Sequence, residues 1–323
     1  MGLSTAMSGR GVNTMKYGFF SGILWGLDTV ILGIGLAMAP YVGTAAAAAF
    51  ASIVGSFLHD AFCAIWLFGY MVLKGRLKDT VAALKTRSGK VVVLGALLGG
   101  PIGMTGYVIA ISNIGAAYTA IISAFYPAIG AFLSYVLLKE RMTKGQIVAL
   151  CAALLGVMAM GYLSAGSSEM ANAPLGLFGA ALTVIGWGSE AVLCAWGMKD
   201  DSVDNETALQ IRETTSALVY GIVVLPIFGA WSFASTAIPS VATGFIALSG
   251  LAGAASYLFY YKGISTIGAA KAMALNISYS AWAVVFGFLL LGTVPTIPSV
   301  VCCAVILVGT ILAATDWNEL FGK

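Results

Sequence analysis

Ten apolar runs, each roughly 20 residues long or longer, follow one another from near Lys16 to near Thr315. About 20 apolar residues in one helix span the hydrocarbon core of a bilayer. Lipid offers the backbone no hydrogen-bond partners, so a spanning chain must close its own bonds as a helix or a barrel. The runs lack the polar–apolar alternation of short barrel strands. The spans expected are 16–39, 46–73, 91–111, 115–138, 145–164, 175–198, 206–229, 241–263, 268–291 and 298–315. Only 9% of the 323 residues are charged, against about 25% in soluble domains. The fold class is therefore an all-α integral membrane protein with ten transmembrane helices.

The placement of lysine and arginine tests this count. With the N-terminus in the cytoplasm, the cytoplasmic segments hold Arg10 and Lys16, then Lys74, Arg76, Lys78, Lys85, Arg87 and Lys90. Next come Lys139, Arg141 and Lys144, then Lys199, Lys262 and Lys323. The opposite loops, 40–45, 112–114, 165–174, 230–240 and 292–297, hold none. Short loops rich in lysine and arginine remain in the cytoplasm, so both termini are expected there. Besides Lys16 and Lys262 at the very ends of their spans, only Arg212 and Lys271 fall inside spans, both near cytoplasmic ends. The basic loop 74–90 is partly amphipathic and is expected on the membrane surface. The first run is longer than a signal-peptide core, contains Asp28 and is followed by Pro40, so it is expected to be retained. The five cysteines lie in apolar runs without metal-ligand spacing; no metal, cofactor or disulfide framework is expected.

The chain repeats itself. WGLDTV (25–30) has a partner in WGSEAV (187–192), at an offset of 162. Beyond the first helix the offset becomes 153: SNIGAA (112–117) matches STIGAA (265–270), Tyr126 matches Tyr279, and His59-Asp60 falls on Arg212-Glu213. Two five-helix units are expected, 1–165 and 166–323. Five is odd, so the second runs through the membrane inverted. Inverted repeats are a mark of secondary transporters, with the substrate site near the midplane between them.

Residues three and four apart share a helix face. Ser21, Trp25 and Asp28 share one in the first helix; Thr183, Trp187 and Glu190 share its counterpart in the sixth. The fourth helix presents Thr119, Ser123 and Tyr126, the ninth Asn276 and Tyr279 with Trp282 nearby, and the third and eighth present Tyr107 against Tyr257 and Tyr260. Polar faces are costly against lipid, so a central cavity lined by helices 1, 3, 4, 6, 8 and 9 is expected. Asp28 at mid-membrane can bind a substrate ammonium, carry a proton, or bond a neighbouring helix as the neutral acid. His59, the sole histidine, is a proton shuttle or a packing hydrogen bond. Adjacent positions diverge on a helix, so His59 and Asp60 are expected on different sides of helix 2. Lys271 can meet a substrate carboxylate or snorkel to the interface. Pro127, directly after Tyr126, and Pro101 are expected to kink their helices and serve as hinges.

The paired Trp-Gly motifs, the ten spans and the block ISNIGAAYTAIISAFYPAIGAFLSYVLLKERMTKGQIVALCAALLGV (111–157), with Glu140-Arg141 closing the fourth helix, resemble the drug/metabolite transporter superfamily and its EamA-type members. The chain looks most similar to YddG-type bacterial exporters of aromatic and other amino acids. That resemblance implies alternating access in the bacterial inner membrane and export of neutral amino acids. Other small metabolites or lipophilic cations are the alternative cargo, and a passive channel is the remaining one. The partners implied are a small-molecule substrate and the bilayer, with no nucleic acid; a monomer is one expectation, and the residues do not fix the oligomeric state. The second half has Thr293-Val294 where the first has Glu140-Arg141. An enzyme is not expected: the DDxxD spacing of Asp200, Asp201 and Asp204 is single and sits where Asp204 or Asn205 would cap the seventh helix.

Overall fold

The computed structural model describes residues 2–163, 172–200 and 202–315, with side chains from Thr14 onward except at 116, 117 and 120. Loop 165–174 therefore lies largely outside the described residues, as do Asp201, Lys323 and the side chain of Arg10. Among the described residues, ten helices are long and apolar enough to cross a membrane. They are α1 (Thr14–Leu36), α2 (Ala45–Leu73), α3 (Arg87–Gly115), α4 (Ile121–Leu138) and α5 (Lys144–Leu163). They continue as α6 (Ala173–Gly197), α7 (Asn205–Phe228), α8 (Val241–Ile267), α9 (Ala269–Leu291) and α10 (Ile297–Ala314). The expected spans and these helices agree to within a few residues at most ends.

α1 runs along α8, α3 along α6, and α5 along α10. Glycine makes the tightest approaches possible. A Cβ on Gly26 would stand 2.9 Å from the Ala283 nitrogen of α9, and one on Gly188 3.1 Å from the Gly130 nitrogen of α4. These crossings lie at matching positions of the two halves. In lipid, where hydrophobic association between helices is weak, such close van der Waals contact is what holds them together.

The two halves also share their backbone breaks. Gly115 (φ 81°, ψ 160°) and Gly268 (φ 89°, ψ 158°) end α3 and α8 in a region that only glycine enters readily. α4 is then interrupted by a turn at Ala124 and Phe125, and α9 by a turn at Ile277 and Ser278. This corrects the expected hinge: the break precedes Tyr126, and Pro127 lies in the first turn of the new segment, where a missing N–H costs nothing. α9 breaks at the same place with Ser280 in the equivalent position, so proline does not create the break. Pro101 lies within a wider π turn, Leu98–Met104.

Contacts at the end of the bundle that carries the basic loop are ionic. Arg76 pairs with Asp204, with Asp79 at 2.8 Å and with Glu206 at 2.6 Å; Lys74 meets Glu206 at 2.7 Å. Asp204 also caps α7 by accepting from the Thr207 N–H at 2.8 Å, as the sequence led us to expect. Burial pushes its carboxyl up, but that N–H and the Arg76 guanidinium outweigh burial and hold it below the usual range. The basic loop is thus pinned to the start of α7, while Val81 and Leu84 on and after its short helix Leu77–Ala83 remain exposed. Glu140 accepts from the Ala269 and Ala270 N–H groups, both at 3.2 Å, and so caps α9. At the other end, the short helix Trp231–Ala237 packs through rings, Phe233 lying 5.9 Å from Tyr41 and 6.3 Å from Phe50.

Candidate functional site

A cavity of about 200 Å³ lies among eight of the ten helices; α5 and α10 do not reach it. At roughly 30 Å³ per water, that is room for about seven waters, the scale of a small solute. α1 contributes Trp25, Asp28, Thr29 and Leu32; α2 Ser56, His59 and Asp60; α3 Met104; α4 Tyr126. α6 contributes Trp187, Glu190 and Ala191; α7 Arg212; α8 Tyr257, Tyr260 and Tyr261; α9 Asn276 and Tyr279.

The walls are aromatic. Trp25 meets Tyr257 at 4.7 Å and Tyr279 at 6.4 Å, edge to face. Trp187 meets Tyr126 at 5.8 Å in the same manner. Trp25–Tyr279 and Trp187–Tyr126 are equivalent pairs of the two halves, so the cavity has one indole–phenol corner from each. Both tyrosines stand at the first helical residue after their break, which turns the ring inward.

The polar groups form two matching triads. In the first half, His59 Nε2 lies 3.1 Å from both carboxylate oxygens of Asp28, and His59 Nδ1 lies 3.4 Å from Asp60 Oδ1. Ser249 donates to Asp28, and Ser216 to Asp60. In the second half, Arg212 Nε donates to Glu190 at 2.7 Å and Arg212 Nη1 to Glu213 at 2.8 Å. Arg212 Nη1 also stands 3.7 Å from Asp60 Oδ2, joining the triads, and its guanidinium lies 4.9 Å from the Tyr257 ring centre. Asp28 is 2% exposed, Arg212 4% and Glu213 0%. Only an imidazolium can donate to carboxylates at both ring nitrogens. Four carboxyl groups thus gather around one guanidinium and one imidazole. An acidic surplus away from water is expensive unless a proton or another cation offsets it.

Ten of the residues singled out from the sequence line the cavity: Trp25, Asp28, His59, Tyr126, Trp187, Glu190, Tyr257, Tyr260, Asn276 and Tyr279. The others stand behind it. Tyr107 backs Trp187 at 5.3 Å. Thr119 is buried and bonds its own helix at the Gly115 carbonyl, and Ser123 is buried. Trp282 turns away to Phe19 at 5.7 Å and covers Gly26. Lys271 is half-buried and outside the cavity wall; Pro101 and Pro127 are buried and also outside it. Two expectations need correction. α2 and α7 line the cavity as well, so Arg212 works at its wall rather than at a membrane edge. His59 and Asp60 both face it, because positions about 100° apart still fit within one broad polar face. The 153-residue offset that lays His59-Asp60 on Arg212-Glu213 was the signal for both.

The comparisons with known proteins agree with this architecture. The family model described as the EamA-like transporter family matches residues 13–162 and 174–315. Protein LicB of Haemophilus influenzae (strain ATCC 51907 / DSM 11121 / KW20 / Rd) is 26% identical over 280 residues, covering 85% of this chain and 88% of that protein. A solved structure, described only as the crystal structure of a protein, superposes with a TM-score of 0.68 at 18% identity, over 94% of this chain and 96% of that one. That likeness shows the fold. The family match runs through both halves and every helix of the cavity, and on that ground the chain is a member of the EamA-like transporter family.

Proposed function

We propose that this transporter carries a small organic cation whose ammonium group sits between the Trp25 and Trp187 corners. One observation carries the reading: an aromatic chamber holding more carboxylates than cations. Ring faces attract ammonium groups, most strongly when water is excluded, and the acidic surplus supplies the countercharge. Asp28 is the residue nearest to that task, since its partner His59 can give up its charge. Neutral amino acids, the cargo expected from the sequence, remain the second reading, favoured by Arg212 at the cavity wall. A zwitterion, however, would bring a further carboxylate into an already acidic site, and Arg212 is already shared by Glu190, Glu213 and Asp60.

The transport mode we infer is alternating access between two inverted units in a bacterial inner membrane, with both ends of the chain in the cytoplasm. It draws support from the paired glycine breaks, from the equivalent crossings of α1 with α9 and α6 with α4, and from a family match in two segments. The paired breaks in α4 and α9 would let each unit bend beside its own tyrosine.

Counterflow in liposomes tests the function. Saturable exchange of labelled tetramethylammonium, competed by larger quaternary amines and not by phenylalanine or methionine, is the expected result. Exchange of phenylalanine without tetramethylammonium would replace this reading with the amino-acid one. Flux without saturation or counterflow would make the protein a channel.

A further inference from the structure

A second hollow, of about 680 Å³, lies on the outside of the bundle between α5 and α10. Its size is within the range of roughly 300–1,000 Å³ common to small-molecule sites. The floor is closed where the two helices touch: a Cβ on Gly309 would stand 3.0 Å from Ala149 and Ala153. The walls carry Gly145, Ala149 and Ala152 from α5 and Ala304 and Leu312 from α10. From Lys144 to Ala152 the groove runs about 12 Å along the helix, at 1.5 Å per residue, less than half the bilayer core. It therefore belongs to one leaflet, on the side where α5 begins.

That end is cationic. Lys144 lines the groove itself. Lys139 and Arg141, in the segment entering α5, border a neighbouring notch with Tyr135 and Val136. All three are exposed, and none forms an ion pair with a described residue. The one carboxylate among them, Glu140, is turned away to cap α9. Hydrocarbon alone would fill any apolar groove. A cationic rim at headgroup height selects the sign of the head, as basic pockets between membrane helices do for acidic lipids.

We propose that the α5–α10 groove is a binding site for an anionic phospholipid. One acyl chain lies along the small residues, and the phosphate and its neighbouring charge are met by Lys144, with Arg141 and Lys139 beside it. This does not depend on which solute the central cavity carries.

Native mass spectrometry of the purified protein, offered phosphatidylglycerol or phosphatidylcholine with identical chains, is the test. Wild-type protein is expected to retain phosphatidylglycerol by a factor on the order of ten or more over phosphatidylcholine. Lys144→Gln with Arg141→Gln should bring that preference close to one with an unchanged melting temperature. Ala152→Leu, which fills the groove, should lower retention of both lipids. Equal retention of the two lipids by the wild-type protein would overturn the proposal, whatever the variants do. So would a lipid-free dimer cross-linked through Val308→Cys, which would assign the groove to a second copy of the chain.

Discussion

In the first half of the chain Asp28, His59 and Asp60 line up across α1 and α2; in the second, Glu190, Arg212 and Glu213 line up across α6 and α7. The order is the same in both: carboxylate, cation, carboxylate. The cation differs. Arginine stays charged at every accessible pH and binds carboxylates through a rigid fork, so the second triad is a permanent tie between α6 and α7. Histidine, unlike arginine, can lose its proton, so the first triad is one whose countercharge can be withdrawn. The two triads match in order, and what separates them is whether the central cation can lose its charge.

Removing the permanent tie should have the largest effect. Arg212→Met leaves Glu190, Glu213 and Asp60 buried without their cation and should cost about 3–5 kcal/mol, read as a lower melting temperature in detergent. Adding Glu190→Gln should recover part of that loss; no recovery would mean that the pair is not what stabilises α6 against α7. Asp28→Asn should act on binding instead. Loss of a charged partner weighs about 1.5–3 kcal/mol, which is roughly a 10- to 150-fold weaker affinity for the organic cation, whereas Glu190→Gln should change affinity less than tenfold and stability more. Equal effects of the two substitutions on affinity would erase the distinction between the triads.

A pH profile sharpens it further. A rise in pH that takes the proton from His59 frees Asp28, so cation affinity should increase toward alkaline pH. His59→Arg copies the second triad into the first and should flatten that profile. A profile that survives the substitution would place the titrating group elsewhere. The smallest effect concerns the ends of the broken helices. Glu140 caps α9 at Gly268, while the matching Thr293 offers no carboxylate to α4. Glu140→Ala should cost about 1 kcal/mol and raise hydrogen exchange at Ala269 and Ala270, leaving the start of α4 unchanged.

Much of this could be read from residue order. Periodic apolar runs and the lysine and arginine bias placed all ten helices, because lipid imposes length and satisfied backbone on every span. The stripes containing Trp25, Asp28, Trp187 and Glu190 identified a real wall of the cavity, because helical spacing sets which residues share a face. Thr119, Trp282 and Tyr107 share such faces too, yet they stand behind the wall. Helical spacing gives direction but not depth, and depth follows from how closely neighbouring helices approach. Pro127 was read as the cause of a break that α9 makes without proline; there the surrounding packing, not the local residue, holds the turn.

The sequence by itself determined the membrane class, the number of spans and the matching motifs of the two halves, since each follows from local composition and from order along the chain. Only the tertiary structure decided that His59 would stand against Asp28, and Arg212 against Glu190 and Asp60. Those partners lie on different helices or far apart in the chain, and their meeting depends on the glycine contacts that set the helix crossings. The acidic surplus of the cavity is likewise a tertiary property: charges scattered along four helices became one site only once lipid had excluded them from every other surface.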